Sequence, residues 1–403
     1  MGVVTTNALA SVEFSLRWRS SAAAHVDCYL ARKVNFWRDI LPAGIYHELM
    51  GLQAGDVRFF HCPPEELVPG RDPENEFDVE QWQFDRRFDS SGPTEPRAGR
   101  FYPKGILKAI PGIFRSNREP FRCVGFGENV IGIDFNHPLS GYELDLEARI
   151  LEVREKHGEL GGSCTAWIET LTTGPGMQAR WKGRPTDFFS DRPFHRNDER
   201  VDSLFYEEPR LVTHVDDAAL SVIGGIYGSL LGDGMRVLDL MSSWRSHVPE
   251  SLDLDSLVGV GLNAREMEEN PRLTGRIVSD LNGNPVLPFE DAGFDAVICS
   301  VSVEYLTSPR AIFEESARVL RPGGVFIVTF SNRWFEQKVT RIWTELHEFE
   351  RIGLVLEHFV QTGEFSRLHT YSMRGLPRPE HDRYYPAVRN SDPVYAVWGF
   401  RAP

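Results

Sequence analysis

The sequence predicts an α/β plus α+β protein whose two halves follow different patterns. From Met235 onward, short runs rich in β-branched residues alternate with stretches of helical character, which is typical of βαβ units that form a parallel sheet covered on both faces. Residues 1–157 instead show alternating apolar and polar positions separated by turn residues, which is typical of antiparallel β structure. A chain of 403 residues is long enough for two or three domains.

The clearest strand of the first half is Tyr142–Ile150. Apolar side chains occupy every second position and charged side chains occupy most positions between them, so we expect a half-buried antiparallel strand. A second apolar run, Asn129–Phe135, is joined to it by the turn-rich segment Asn136–Gly141, and together they predict a hairpin. The stretch Pro69–Gly99 is charged and rich in proline, so it is expected to be a long excursion with little core of its own.

The second half contains five apolar runs that predict parallel strands. They are Arg236–Leu240, Leu257–Val260, Ile277–Asp280, Phe294–Cys299 and Val325–Phe330. Two further runs, Leu368–Arg374 and Val394–Arg401, predict an antiparallel hairpin at the edge of the sheet. The stretch Gly158–Arg200 between the halves is rich in Gly, Pro and Arg and is interpreted as a connector.

The net charge of the chain indicates which kinds of binding partner are favoured. Lys and Arg number 44 and Asp and Glu number 58, so the formal net charge is -14. An acidic surface repels a phosphate backbone, which argues against nucleic acid as the main partner and leaves small or neutral molecules open. The sequence does not decide the oligomeric state, and a homo-oligomer is left open.

The cysteines and the apolar stretches indicate the cellular compartment in which the protein is expected. The five cysteines, Cys28, Cys62, Cys123, Cys164 and Cys299, are scattered without a CxxC pair. This pattern fits neither a disulfide framework nor a zinc site, so we expect a reducing compartment and no metal. The first residues lack the apolar core of a signal peptide, and the longest apolar stretch, 218–231, is interrupted by glycines and is too short for a bilayer. A cytoplasmic location without membrane association is expected.

Two stretches of the second half resemble class I S-adenosylmethionine-dependent methyltransferases. Residues 287–297 read LPFEDAGFDAV and resemble the family pattern LPFxDxSFDxV, and residues 318–324 read RVLRPGG and resemble the RxLKPGG turn before the fifth strand. Glycine suits such a turn because it tolerates positive φ. The resemblance covers about residues 205–400 and implies a Rossmann-like seven-stranded methyltransferase sheet with S-adenosyl-L-methionine as cofactor.

The loop after the first of these strands departs from the family. It normally reads DxGxGxG, with glycines that let the backbone approach the cofactor, whereas residues 239–247 read DLMSSWRSH. One interpretation is a methyltransferase fold that binds nothing. We favour a subgroup with its own loop, because this segment and the upstream FYEEPRLVTHVDD at 205–217 resemble a recurring methyltransferase subgroup. The hydroxyls of Ser242 and Ser243 would then donate to the cofactor carboxylate.

In an open α/β sheet, ligands lie beyond the carboxyl ends of the strands where the strand order reverses. The predicted cofactor-binding residues therefore follow the apolar runs and are Asp239, Ser242, Ser243, Trp244, Gly261, Asn263, Asp280, Leu281, Asn282, Ser300 and Tyr305. Asn263 would stand in for the acidic residue that usually contacts the ribose, and Asp280–Asn282 occupies the position where the family contacts adenine. Alternatively, Asp239 could cap a following helix, and Cys299 is expected to be buried and inert.

Four residues are predicted to act on the methyl acceptor. They are Tyr206, Arg210, His214 and His247. The first three precede the core, in a segment that folds over the acceptor pocket in this family, and His247 is expected on a helix after the first loop. His247 could equally be a buried structural histidine. Tyr206, Trp244 and Tyr305 would face the sulfonium cation.

No catalytic dyad stands out in the sequence, and this suits an acceptor that needs little base catalysis. We therefore expect a small-molecule acceptor, with a preference for a small thiol or sulfide. Methyl transfer would be an in-line displacement that the protein assists by alignment and exclusion of water. An oxygen or nitrogen acceptor is left open.

The first half resembles FKBP-type prolyl isomerases of the SlyD branch. GLQAGD at 51–56 followed by CPPE at 62–65 resembles one stretch of that family. DFNHPLSG at 134–141 followed by the alternating strand resembles its last two strands. The turn and the strand occur together, which makes the second match specific.

The two resemblances imply a division of the chain. An FKBP/SlyD-like domain would span 20–157 with a flap at about 69–99, followed by a connector at 158–200 and a methyltransferase domain at 201–403. The alternative function is an FKBP-type prolyl isomerase or chaperone with a non-catalytic methyltransferase-like domain. We prefer to interpret the first half as a scaffold or lid.

Overall fold

The computed structural model describes residues 2–88, 93–158 and 162–403. Within them, eleven strands form one mixed sheet and four form a smaller antiparallel sheet. The strands are β1 (Ala8–Arg19), β2 (Ala24–Asn35), β3 (Val57–Cys62), β4 (Glu76–Glu80), β5 (Phe101–Pro103), β6 (Pro120–Phe126), β7 (Val130–Asp134), β8 (Leu144–Glu155), β9 (Arg236–Leu240), β10 (Ser256–Gly261), β11 (Gly275–Val278), β12 (Phe294–Ser300), β13 (Leu320–Phe330), β14 (Phe365–Arg374) and β15 (Val394–Arg401). The helices are α1 (Ala43–Leu49), α2 (Trp167–Thr172), α3 (Asp202–Phe205), α4 (Asp217–Leu230), α5 (Ala264–Glu268), α6 (Pro309–Val319), α7 (Arg341–Glu345) and α8 (Glu348–Thr362). None of these helices is long and apolar enough to cross a bilayer.

The seven strands of the second half confirm the predicted α/β sheet. Their order is β11-β10-β9-β12-β13-β15-β14, and neighbours are parallel except in the two pairs that involve β15. Helices cover both faces, so the central strands bury apolar residues on both sides. Val237 of β9 packs in the core beneath α4, whereas Leu238 packs in the core beneath α6 and α8.

The hairpin of β14 and β15 does not form the edge of the sheet, which corrects the prediction. β14 pairs in parallel with β2, for example Tyr371 with Val26, and the antiparallel strands β1, β8 and β3 extend the sheet further. At this junction Ser372 Oγ donates to Asp27 Oδ1 at 2.8 Å, and both side chains are buried. A buried hydroxyl and carboxylate need such partners, so the two halves of the chain complete one another's polar contacts.

The predicted hairpin of β7 and β8 is also wrong. β7 pairs with β4 and β6 in the small sheet, whereas β8 pairs with β1 and β3 in the large sheet. Asn136 holds the connecting turn to the small sheet by donating to Asp72 O at 2.9 Å. The alternation in β8 is confirmed, since the apolar positions of Leu144–Ile150 are buried. Alternation identifies the buried face of a strand and does not identify its neighbour.

The stretch 69–99 is not an excursion without a core, because it begins the small sheet. β4 pairs with β7, and Val79 packs with Phe121 in a core that belongs to this sheet. Residues 89–92 of the predicted flap and 159–161 of the predicted connector lie outside the described residues. The FKBP/SlyD-like resemblance and the domain boundaries remain predictions.

Candidate active site

One cavity opens at the carboxyl ends of β9 to β12, where the strand order reverses. It encloses about 1130 Å³, a volume that includes the open solvent at its mouth. All of the predicted site residues line it, namely Tyr206, Arg210, His214, Asp239, Ser242, Ser243, Trp244, His247, Gly261, Asn263, Asp280, Leu281, Asn282, Ser300 and Tyr305. Strand ends bring most of them together because neighbouring strands lie about 4.8 Å apart. Tyr206, Arg210 and His214 come instead from the segment between α3 and α4.

The loop after β9 turns without glycine. Met241 has φ 54° and His247 has φ 58°, while Val301 after β12 has φ 48°. Positive φ is costly for a side chain, most of all for a β-branched one such as Val301, and such strain concentrates at functional sites. No helix lies between β9 and β10, so His247 is on a loop and Asp239 is not a helix cap, contrary to those two expectations.

Asp239 places a buried carboxylate at the end of β9. Ser242 Oγ and Ser246 Oγ both donate to its Oδ2, at 2.7 and 2.6 Å. Burial raises the pKa of Asp239 to about 7, and the two hydroxyl donors act in the opposite direction. Oδ1 accepts no hydrogen bond from a described residue. This oxygen is therefore free to accept a hydrogen bond from a ligand.

The hydroxyls of Ser242 and Ser243 are already engaged, which corrects their predicted role as donors to a cofactor carboxylate. Ser242 Oγ donates to Asp239, and Ser243 Oγ donates to Glu266 Oε2 at 2.6 Å. Each hydroxyl has one proton. The main-chain N–H groups of Ser243 and Trp244 have no acceptor among the described residues, so they are among the donors that remain on this loop.

Glu266 lines the cavity, although the sequence marks it only as part of a helix start. Its Oε1 accepts the main-chain N–H of Arg210 at 2.7 Å, and its Oε2 accepts from Ser243. Asn followed three residues later by Glu predicts a helix cap, and Asn263 does cap α5 by accepting the N–H of Glu266 at 3.1 Å. Asn263 Nδ2 donates to Tyr206 O at 2.8 Å. The Asn263 side chain therefore holds the loops around the cavity together. The carboxylate that lines the cavity at this position belongs to Glu266.

Gly261 allows the loop after β9 to approach β10. A Cβ atom at this position would lie 2.2 Å from the carbonyl oxygen of Ser242. This distance is far shorter than any nonbonded contact, so the loop could not keep its position beside a larger residue.

Asp280 and Asn282 follow β11 and differ in their free hydrogen-bonding capacity. Asn282 Nδ2 donates to Asp202 Oδ2 at 2.8 Å and to Tyr305 O at 2.9 Å. Its Oδ1 accepts the N–H of Thr307 at 2.8 Å, so this side chain fixes the loop. Asp280 Oδ1 accepts the N–H of Asn282 at 3.0 Å, whereas Oδ2 has no donor among the described residues. Asp280 is therefore the residue of this pair that can bind a ligand.

Residues 254–328 match a protein-family model described as a methyltransferase domain. This segment of the chain is similar to methyltransferase domains. S-adenosylmethionine is its cofactor, which confirms that prediction, and the match supports the predicted resemblance to class I enzymes. The matched segment contains Gly261, Asp280, Ser300 and Tyr305 of the cavity. None of the curated proteins matches the chain in sequence.

Solved structures show a weaker similarity to the chain. A chain from the complex between the Haloferax volcanii Trm112 methyltransferase activator and a methyltransferase is 16% identical, with a TM-score of 0.34, covering 50% of this chain and 94% of that one. The YcgJ protein from Bacillus subtilis is 13% identical, with a TM-score of 0.33 and coverages of 46% and 99%. An S-adenosylmethionine-dependent methyltransferase from Mesorhizobium loti is 13% identical, with a TM-score of 0.30 and coverages of 44% and 96%. The assignment depends on the family match and not on these structures.

An aromatic wall closes the methyltransferase cavity on the side of β12 and β13. Tyr305, which follows β12, stacks on Phe335, which follows β13, with ring centroids 6.0 Å apart. Tyr206 lies 6.5 Å from the same ring, and the guanidinium carbon of Arg210 lies 4.8 Å from it. Nothing in the sequence marks Phe335, whose role depends on these tertiary contacts. Trp244 is not part of this wall. Its ring packs instead against Arg245, whose guanidinium carbon lies 4.4 Å from the ring centroid.

His214 and His247 line the cavity as neutral imidazoles. Burial lowers the pKa of His214, with Glu266 opposing and Arg210 reinforcing this effect. Burial also lowers the pKa of His247 to about 4. Neither ring makes a side-chain hydrogen bond to a described residue. Each neutral ring therefore has a nitrogen that can accept a hydrogen bond from a ligand near neutral pH, and the lowered pKa makes each a weaker base than an exposed histidine.

Proposed function

We propose that the protein transfers the methyl group of S-adenosylmethionine to a small-molecule acceptor, and that the acceptor is a small thiol or sulfide. The observation that carries this proposal is a cavity that combines three carboxylates with two neutral imidazoles. The carboxylates suit a cationic cofactor, and the imidazoles can receive a proton from the acceptor. The acidic protein surface favours a small molecule over nucleic acid.

The free polar groups of the cavity fit the parts of the cofactor. Asp239 Oδ1 would accept from the amino group, and the N–H groups of Ser243 and Trp244 would donate to the carboxylate. Glu266 would accept the ribose hydroxyls, and Asp280 Oδ2 would accept from the adenine amino group. When bound, S-adenosylmethionine supplies a methyl group on a sulfonium sulfur that keeps the electron pair of the broken carbon–sulfur bond.

Tyr206, Arg210 and His214 belong to the segment that crosses the cavity, and we assign them to the acceptor. An acceptor thiol has a pKa of about 8.5, so the neutral ring of His214 can take its proton while the sulfur forms its bond to the methyl carbon. A sulfide acceptor has no proton to lose. The aromatic wall excludes water from the reacting atoms. His247 is the second candidate proton acceptor.

The first half of the chain is proposed to act as a scaffold for the methyltransferase domain at 201–403. The pairing of β2 with β14 supports this proposal, because it completes the sheet that carries the site. The edge of β14 would otherwise expose unpaired main-chain groups.

Replacing His214 with alanine should reduce turnover of a small thiol about 100-fold near pH 7, because the proton acceptor is lost. Affinity for S-adenosylhomocysteine, measured by calorimetry, should stay within about twofold, since His214 is assigned to the acceptor. The loss of turnover should shrink at a pH above the pKa of the thiol, where no base is needed. His47→Ala, at an exposed position on α1, is the matched control. Normal turnover in His214→Ala would contradict the assignment.

Replacing Asp280 with alanine should weaken S-adenosylhomocysteine binding by about 1–3 kcal/mol, the scale for loss of a charged hydrogen-bond partner. The expected loss follows because Asp280 Oδ2 is free to accept a hydrogen bond from the ligand. Calorimetry measures the affinity. Glu290→Ala, which removes an exposed carboxylate outside the cavity, should bind normally. Unchanged affinity in a folded Asp280→Ala protein would remove Asp280 from the cofactor site.

A further inference from the structure

The cavity is lined by both acidic and basic side chains. The carboxylates that line it, Asp239, Glu266 and Asp280, follow β9, β10 and β11. The guanidiniums that line it belong to Arg210, on the segment across the mouth, and to Arg245. Among the described residues, no carboxylate forms an ion pair with either guanidinium. Arg245 is exposed, whereas Arg210 is partly buried, so in a protein of net charge -14 the guanidinium of Arg210 is the one that indicates an anionic ligand.

Arg210, which lines the cavity, has a guanidinium nitrogen without a partner among the described residues. Its Nη1 is buried without a hydrogen-bond partner, while Nη2 donates to Phe205 O at 3.2 Å. The guanidinium carbon lies 4.3 Å from the ring of Phe205, 5.6 Å from that of Tyr206 and 4.8 Å from that of Phe335. These rings fix the orientation of the guanidinium. Because a buried charged donor without an acceptor is costly, a ligand oxygen at Nη1 would bind favourably.

Arg210 lies on the acceptor side of the cavity. Phe335, which its guanidinium contacts, follows β13, whereas Asp280 follows β11. His214, the assigned proton acceptor, lies 5.1 Å from the Phe335 ring. The guanidinium and the assigned proton acceptor therefore lie against the same ring of the aromatic wall.

We propose that the methyl acceptor carries a carboxylate that pairs with Arg210, so that the substrate is a small thiol or sulfide with a carboxylic acid group. This inference rests on the proposed function. A carboxylate suits a guanidinium with one free Nη group better than a phosphate dianion, which needs several donors. The carboxylate also balances the charge of the cationic cofactor when both occupy the cavity.

Two sulfides that differ in one group, a carboxylate in one and a neutral hydroxyl in the other, test this proposal. The full-length protein, saturated with S-adenosylhomocysteine, is titrated by calorimetry with 3-(methylthio)propanoate and with 3-(methylthio)propan-1-ol. The carboxylate should bind at least about 10-fold more tightly, as expected for a charge-assisted hydrogen bond. Arg210→Met should abolish this preference, Arg210→Lys should keep much of it, and Arg310→Met, an exposed substitution on α6, should keep all of it. Because Arg210→Lys keeps the positive charge and changes the shape of the side chain, it distinguishes the effect of charge from the effect of packing.

Equal binding of the two probes to the wild type would overturn the proposal. A loss of S-adenosylhomocysteine affinity of more than about 10-fold in Arg210→Met would also overturn it, since Arg210 would then hold the cofactor carboxylate. If the wild type binds no S-adenosylhomocysteine, the proposed function fails separately. The same probes titrated into the protein alone would then still decide whether the cavity prefers a carboxylate.

Discussion

Replacing Gly261 with alanine is expected to abolish S-adenosylhomocysteine binding, with a loss of at least about 100-fold. The added Cβ would lie 2.2 Å from the Ser242 carbonyl oxygen, which is main chain and has no rotamer to relieve the overlap. The loop after β9 must therefore move, and Asp239 loses the hydroxyl of Ser242 that this loop supplies. Overpacking of this kind destabilises a protein by about 1–3 kcal/mol. Calorimetry and urea denaturation measure the two effects.

Gly225 supplies the matched control. It is exposed on α4, and a Cβ there would meet nothing within 4 Å. Alanine in an exposed helix is more favourable than glycine by about 1 kcal/mol, so Gly225→Ala should bind the ligand normally and be slightly more stable. If Gly261→Ala bound as tightly as Gly225→Ala, close approach of the loop to β10 would not be needed for the cofactor.

The contents of the cavity could be predicted from the sequence because they depend on strand ends. Parallel strands end at one edge of the sheet, so residues such as Asp239, Asp280 and Tyr305 must converge wherever the turns between them run. The hydrogen-bond partners could not be predicted in this way. Glu266 belongs to a helix start and Phe335 to an irregular segment, and both reach the cavity only through tertiary packing.

The first half shows the same limit at the level of strand pairing. The alternation in β8 predicts its buried face correctly, whereas β7, only a short turn away, belongs to another sheet. Local pattern does not contain the pairing, because β8 finds its partners in β1 and β3 at long range. The parallel pairing of β2 with β14 is likewise a contact between distant parts of the chain, and no short motif indicates it.

Replacing Asp239 with asparagine should stabilise the fold at pH 8 and weaken cofactor binding at the same pH. Burial raises the pKa of Asp239 from 3.8 to about 7. Between pH 3.8 and about 7, the carboxyl of Asp239 is ionised in the unfolded chain and protonated in the folded protein. The stability contributed by protonated Asp239 is therefore complete below pH 3.8 and is lost as the pH rises through about 7. Asparagine does not titrate, so the variant does not lose this stability as the pH rises.

The difference in unfolding free energy between Asp239→Asn and the wild type should rise by about 2–4 kcal/mol between pH 4 and pH 8. Urea denaturation across this range measures it, and Asp233→Asn, an exposed change, should show no such trend. The asparagine Oδ1 can still accept from Ser242 and Ser246, so the loop should keep its position.

Cofactor binding should respond in the opposite direction, because the ionised carboxylate attracts the cationic S-adenosylmethionine. Affinity of the wild type should rise as the pH passes about 7, whereas affinity of Asp239→Asn should be lower by about 10-fold or more at pH 8 and nearly independent of pH in this range. A variant that gained stability and still bound S-adenosylmethionine like the wild type would show that Asp239 serves the loop alone. A variant that lost stability at pH 8 would show that the ionised carboxylate, held by two serine hydroxyls, is favourable in the folded protein.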